Sequence, residues 1–185
     1  MTVNRTQQIL WVLFKTAIFT VLAPFTVGVL LPRYLHWAFV PRFDGVDYGV
    51  EYRPMWCSVS EILSPFFLLL GSFAYLWSAW DFAVRGMGTP APIDAPKKLV
   101  VNGLYRFVRN PMYVGVFCLI LSQAMDFCSR PILFYICFAG VCFHLFIVFY
   151  EEPHLRRVFR EQYEDYCRQV PRWIPRITSY RPPIT

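Results

Sequence analysis

The chain has 185 residues, of which 56% are hydrophobic and 16% are charged, against about 25% charged residues in a typical soluble domain. The apolar residues fall in long runs, which favours the bilayer as solvent and excludes an ordinary soluble globular domain. The net charge is +6, but the basic residues form no pattern typical of nucleic-acid readout, so we expect no nucleic-acid partner.

The first apolar run, from about Ile9 to Leu31, predicts a membrane-spanning helix. It is longer than the core of a cleavable signal peptide, so we expect the span to be retained. Pro24 predicts a kink inside it, and Pro32 followed by Arg33 predicts its end. The polar and aromatic stretch that follows, to Met55, is typical of a loop on the membrane surface.

Further apolar runs predict three more spans, at about Cys57–Trp80, Pro111–Phe127 and Ile132–Tyr150. A polar connection, Asp81–Asn110, separates the second span from the third, and prolines near its middle exclude a helix there. Apolar residues at helical spacing predict an amphipathic helix over His154–Gln169. We therefore expect one all-α integral membrane domain over residues 1–185, with about four transmembrane helices, the last two a helical hairpin, and a C-terminal amphipathic helix.

The distribution of lysine and arginine predicts the orientation of the chain. With four spans, the N-terminus, the Asp81–Asn110 connection and the C-terminal region share one side. That side carries most of the basic residues, so we expect it to face the cytoplasm.

Six cysteines are present, and none forms a C-x-x-C pair, so the sequence supports neither a zinc site nor a redox motif. Most lie in or beside apolar runs. We expect them to pack as small hydrophobic residues.

Two polar clusters flank the predicted hairpin. The first runs from Gly103 to Tyr113, and the second begins at Glu151-Glu152. Antiparallel packing of the hairpin predicts that they lie side by side. The start of the third span offers free backbone N–H groups to an anion, which Arg109 can also bind, and the two glutamates can receive a cation or hydroxyl groups.

These residues also carry a resemblance to a known family. The pattern Gly103-x-Tyr105-x-x-x-Arg109-Asn110-Pro111-x-Tyr113-x-Gly115, followed by Glu151-Glu152, Tyr163-x-x-Tyr166 and Val170-Pro171-Arg172, resembles the isoprenylcysteine carboxyl methyltransferases, a membrane family related to phospholipid methyltransferases. The resemblance covers about Lys97–Pro175. It implies a methyltransferase core over residues 97–176, after N-terminal spans and loops over residues 1–96.

The resemblance implies S-adenosyl-L-methionine as cofactor and assigns residues to its site. The implied cofactor-binding residues are Lys97, Lys98, Leu99, Val100, Tyr105, Asn110, Pro111, Met112, Tyr113 and Glu151, and Arg109, Glu151 and Glu152 are the predicted catalytic residues. The sequence departs from the family twice. Asn110 replaces a histidine, and Ile147 stands where the eukaryotic prenylcysteine enzymes carry a substrate-directing arginine.

The predicted acceptor is a lipophilic small molecule or a lipidated group that enters from the bilayer. A prenylated cysteine, a phospholipid amine and a small hydrophobic thiol all remain open. Two rival functions also remain. The C-terminal pattern Tyr166-Cys167-x-x-Val170-Pro171-x-x-Ile174-Pro175 is similar to that of the NADPH-dependent sterol reductases, although those have many more spans. A non-catalytic membrane scaffold is the other alternative.

Overall fold

The structure, a computed structural model, describes residues 5–39, 55–86 and 98–180. Over these ranges all of the regular secondary structure is helical, with no strand. Three helices are long and apolar enough to cross a membrane, Thr6–Phe39, Cys57–Gly86 and Arg130–Gln169, and Pro111–Asp126 is a shorter apolar helix. The predicted all-α membrane fold is therefore confirmed. The middle of the predicted surface loop and the proline-rich part of the polar connection lie outside the described residues.

The N-terminal helix is longer than predicted. It comprises α1 (Arg5–Thr20), a π-helical segment (Val21–Leu30) and α2 (Leu31–Phe39). The predicted end at Pro32 is wrong, because the wider π turns change the hydrogen-bond register ahead of this proline. The N–H of Leu31 reaches back five residues to the carbonyl of Thr26, which lets the helix pass through residues that would break a regular α-helix.

Side chains from two other helices stabilise this π-helical segment. Gln123 Nε2 donates to the carbonyl of Gly28 at 2.6 Å, and the Tyr135 hydroxyl donates to the carbonyl of Val27 at 2.9 Å. Both carbonyls would otherwise lie in a medium that offers no water, so these bonds fix the segment against its neighbours.

Helices α3 (Met55–Asp81) and α4 (Pro111–Asp126) pack closely through two glycines. A Cβ atom at Gly71 would lie 2.7 Å from the carbonyl oxygen of Gly115, and one at Gly115 would lie 2.8 Å from the backbone nitrogen of Tyr75. The two backbones touch where neither residue has a side chain, the arrangement by which small residues bring membrane helices together.

A disulfide bond joins the start of α3 to the end of α4. It links Cys57 to Cys128, whose Cα atoms are 5.6 Å apart. The prediction that these cysteines only pack as hydrophobic residues is therefore wrong for this pair. A pairing between residues so far apart in the sequence has no local signal, and only the antiparallel approach of α3 and α4 creates it.

The hairpin of α4 with α5 (Arg130–Phe146) is present as predicted, and its helices share a core that includes Ile120, Ile132 and Ala139. The break predicted between Tyr150 and His154 is absent. A π-helical turn (Ile147–Glu151) joins α5 directly to α6 (Glu152–Gln169). The bend occurs later, at Arg160, whose φ of 47° lies in the left-handed region.

The helices begin and end at two opposite ends of the molecule. The end of α3, the start of α4 and α6 lie together, and we call this the basic end because it gathers Arg85, Lys98, Arg106, Arg109 and the arginines of residues 156–176. The opposite end carries the disulfide and a ring stack of His36 on Phe127, with centroids 4.6 Å apart.

Candidate active site

The loop before α4 is fixed by a glycine beside a buried acid. Gly103 opens a short 3-10 turn (Gly103–Arg106) with a φ of 55°. A Cβ atom at Gly103 would lie 2.0 Å from Asp81 Oδ2, which also accepts a hydrogen bond from Trp77 Nε1. Only glycine has both the backbone freedom and the space for this contact, so the loop is docked on the end of α3.

The C-terminal arm, residues 170–180, runs beside this loop and holds it from the other side. Three backbone hydrogen bonds of 2.9–3.0 Å join them: Arg109 N–H to Pro171 O, Arg176 N–H to Phe107 O, and Tyr180 N–H to Arg106 O. The Tyr166 hydroxyl of α6 adds a bond of 2.7 Å to the carbonyl of Tyr105. The loop is therefore positioned by residues distant in sequence.

Glu152 is the centre of a buried ion cluster. Arg109 Nη1 donates to its Oε1 at 2.9 Å, and Arg172 donates to both its oxygens, at 2.7 and 3.0 Å. The side chain of Glu152 is only 7% exposed. Asn110 Nδ2 donates to the carbonyl of Arg172 at 3.2 Å. Both carboxylate oxygens of Glu152 are thus engaged with arginines.

Glu151 has a different environment from its neighbour. Its Oε2 accepts a hydrogen bond of 3.1 Å from the Tyr113 hydroxyl, and both side chains line a cavity of about 490 Å³. Such a volume lies in the range of small-molecule sites, roughly 300–1,000 Å³. The two adjacent glutamates therefore differ in their surroundings: Glu151 lines the cavity, whereas Glu152 is held inside the ion cluster.

The cavity has a polar end and an apolar wall. The polar end holds Tyr105, Arg109, Asn110, Tyr113 and Glu151. The wall is formed by the N-terminal helix, α3, α4 and α5, through Phe19, Ala23, Pro24, Val27, Tyr75, Phe82, Met112, Val116, Cys142, Phe143 and Phe146. The wall accordingly suits a lipophilic group and the polar end a charged one.

The polar end also offers unused donors. Arg109 Nε is buried and has no hydrogen-bond partner among the described residues. Asn110 precedes α4 without capping it through its side chain, and Pro111 has no N–H, so the N–H groups of Met112 and Tyr113 lie at an uncapped helix start. These donors and the helix dipole favour an anionic group at this position.

Burial controls the ionisation of Tyr105 at the polar end. Its side chain is shielded from water by the loop and the arm, which raises the pKa of Tyr105 well above that of a free phenol, and neighbouring tyrosines and acids raise it further. The phenol therefore stays neutral near pH 7. The hydrogen bond to Glu152 raises the pKa of Arg172, so Arg172 stays cationic.

The structure brings together most, but not all, of the predicted site residues. Tyr105, Arg109, Asn110, Met112, Tyr113 and Glu151 line the cavity. Pro111 is buried at the start of α4, and Glu152 lies in the ion cluster. Leu99 packs against a cluster of Tyr163, Tyr166, Val170 and Tyr180, Val100 is buried and Lys98 is exposed. Lys97 lies outside the described residues.

Arg172 and the N-terminal helix were not among the predicted site residues. Arg172 belongs to the quoted motif pattern, which gave it no role, and its contact with Glu152 depends on how the arm returns to α4. Phe19 and Val27 belong to an apolar run whose composition signals only a span.

The fold and the site together define a helical membrane protein with a cavity in the size range of small-molecule sites. The model of the phospholipid methyltransferase family matches residues 59–162, and the chain belongs to that family. Protein-S-isoprenylcysteine O-methyltransferase B of Arabidopsis thaliana is 35% identical over 80 residues, which cover 42% of this chain and 40% of that relative. The match thus spans about two fifths of the relative's length. No solved structure matches the chain significantly.

Proposed function

We propose that this protein is an S-adenosyl-L-methionine-dependent methyltransferase that acts on a lipophilic acceptor. The observation that carries the proposal is the cavity, in which Glu151 and the free donors of Arg109 and α4 meet at one end of an apolar wall. Family membership supports the same reaction class.

The residues of the polar end fit the charges of the cofactor. The cofactor has a carboxylate, an ammonium and a sulfonium. Arg109 Nε and the start of α4 would hold the carboxylate, and Glu151 would hold a cationic group. The Tyr113 hydroxyl fixes one oxygen of Glu151, which leaves the other free for a ligand.

The cavity favours methyl transfer because its apolar wall excludes water and because the loop beside it positions the acceptor. When bound, S-adenosyl-L-methionine supplies an electrophilic methyl group on a sulfonium. The apolar wall excludes water, which strengthens the attraction between opposite charges, and the fixed loop sets the approach of the acceptor. Asn110 donates and accepts hydrogen bonds but is not a protonatable base.

Glu152 acts as a positioning residue in this proposal, and not as a group that touches the substrate. Its two oxygens hold Arg109 and Arg172, so it fixes the guanidinium that faces the cavity and the arm that covers the loop. The sequence prediction that Glu152 is catalytic is thereby refined.

The acceptor would enter from the bilayer. The relative from Arabidopsis thaliana is named for an isoprenylcysteine O-methyltransferase activity, and such a lipidated cysteine is one candidate. Ile147, where the prenylcysteine enzymes have an arginine, is 1% exposed and offers no charge to a carboxylate. A phospholipid amine or a hydrophobic thiol therefore remains a full alternative.

The cofactor site would face the cytoplasm. The basic end carries the site, and basic residues mark cytoplasmic faces of membrane proteins. The disulfide lies at the opposite end, and disulfides persist in oxidising compartments rather than in the cytoplasm. Two independent features thus favour one orientation.

Purified protein in detergent, incubated with methyl-labelled S-adenosyl-L-methionine and total membrane lipid extract, tests the proposal. The expected result is a labelled lipid product that disappears in the Glu151→Gln variant. Binding of NADPH without binding of S-adenosylhomocysteine would instead support the reductase alternative. Binding of neither, with an unchanged cellular role in Glu151→Gln, would support the scaffold.

A further inference from the structure

A short chain of hydrogen bonds fixes the proton of a tyrosine in the cavity wall. Thr20 Oγ1 donates to the carbonyl of Thr16 at 2.8 Å and lies 2.8 Å from the hydroxyl of Tyr75. A carbonyl can only accept, and threonine has one hydroxyl proton, so both contacts are hydrogen bonds at the same time only when Tyr75 donates to Thr20. The hydroxyl oxygen of Tyr75 is therefore left with acceptor capacity only.

Tyr75 lies in the apolar part of the cavity. It precedes Phe82 by about two helical turns, which places it roughly 10 Å further from the basic end. Most of the other residues that line the cavity wall, such as Phe19, Val27 and Val116, carry no polar side-chain atom. The oxygen of Tyr75 is thus an isolated acceptor in a dry environment, where a matching donor gains the most.

The lipid-facing surface gives access to this part of the cavity. Cys142 and Phe146 of α5 line the cavity, and both side chains are exposed, on a helix that is apolar and long enough to cross a membrane. In a membrane that outer surface faces acyl chains. A molecule dissolved in the bilayer can therefore approach the cavity without passing through water.

We propose that Tyr75 is a specificity-determining residue of the acceptor subsite. Its oxygen accepts a hydrogen bond from an O–H, N–H or S–H group of the bilayer-borne acceptor, and it disfavours a molecule that presents only ether, carbonyl or carboxylate oxygens at this position. This inference rests on the proposed function, because it takes the apolar part of the cavity as the acceptor site.

Two probes that differ in one donor test the proposal, 1-dodecanol and its methyl ether. In lipid nanodiscs, each probe is titrated while alkylation of Cys142 by N-ethylmaleimide is followed by peptide mass spectrometry. Cys137, exposed on the same helix but not lining the cavity, is the internal reference. The alcohol should protect Cys142 at an about tenfold lower concentration than the ether, the effect of one hydrogen bond.

Two variants separate the hydrogen bond from general packing. Tyr75→Phe should abolish the preference for the alcohol. Thr20→Val should also reduce this preference, so that the protecting concentrations of alcohol and ether differ by no more than about twofold. The reason is that Tyr75 then has a free proton to donate to the ether. Thr26→Val is the matched control, since that hydroxyl bonds to the carbonyl of Val21 at 3.4 Å and does not line the cavity. It should keep the wild-type preference.

Equal protection by both probes, protection by neither, or a preference that survives Tyr75→Phe would overturn the proposal. S-adenosylhomocysteine binding is measured on the same samples. A wild-type protein that prefers the alcohol but fails to bind S-adenosylhomocysteine would contradict the proposed function, and it would leave Tyr75 only as a hydrogen-bond acceptor for an alcohol from the bilayer. Binding of S-adenosylhomocysteine without the alcohol preference would support the proposed function and overturn the role of Tyr75.

Discussion

Loss of charge at the two adjacent glutamates should lower stability to very different extents. In Glu152→Gln, Arg109 and Arg172 lose the carboxylate that holds them, in a site where Glu152 is 7% exposed. Breaking a buried pair costs about 3–5 kcal/mol, which corresponds to a fall of about 6–20 °C in the unfolding midpoint for a chain of this size. Glu151→Gln keeps an oxygen for the Tyr113 hydroxyl, so it should lower the midpoint by about 2–4 °C at most.

Cofactor binding should depend strongly on the charge at position 151, although stability does not. Glu151→Gln removes a charge-assisted contact, so the dissociation constant for S-adenosylhomocysteine should rise about 10–100-fold. Thermal unfolding by intrinsic fluorescence and calorimetric titration in the same detergent measure both quantities. A Glu152→Gln variant that keeps its unfolding midpoint, or a Glu151→Gln variant that binds normally, would refute the division of roles.

Further predictions concern packing, the loop, the disulfide and pH. Gly115→Ala should lower the free energy of unfolding by about 1–3 kcal/mol, because its Cβ would meet the backbone of α3. Gly140→Ala, whose Cβ would meet only ring carbons, the nearest at 3.8 Å, should be tolerated. Gly103→Ala should displace the loop and weaken S-adenosylhomocysteine binding, measured by titration. Reduction of the Cys57 disulfide should destabilise the protein by about 2–4 kcal/mol, and unchanged unfolding would argue against the bond. The raised pKa of Tyr105 favours the neutral phenol in the folded state, so stability should fall above about pH 10, where the unfolded phenol ionises, and Tyr105→Phe should reduce that fall in alkaline unfolding curves.

The sequence predicted the spans well because hydrophobic length depends only on composition. It failed where helices continue through breakers. Pro32 and Pro153 normally end a helix, but π-helical turns precede both and absorb the change in register. Their effect depends on partners such as Tyr135, which a local pattern does not reveal.

The sequence predicted only the part of the site that follows from the order of the helices. Arg109 and Tyr113 lie just before and in the first turn of α4, beside the end of the hairpin, so their proximity to Glu151 followed from topology. The partition between Glu151 and Glu152 did not follow, because it depends on the return of Arg172 along the C-terminal arm. The disulfide and the wall from the N-terminal helix likewise require tertiary contacts.

Photocrosslinking tests the central claim most directly. Ultraviolet irradiation of the purified protein with methyl-labelled S-adenosyl-L-methionine, followed by peptide mapping, should place the label in residues 105–116 or 142–151. Excess S-adenosylhomocysteine should suppress it. Label found at the disulfide end, or label that resists this competition, would contradict a cofactor site in the cavity.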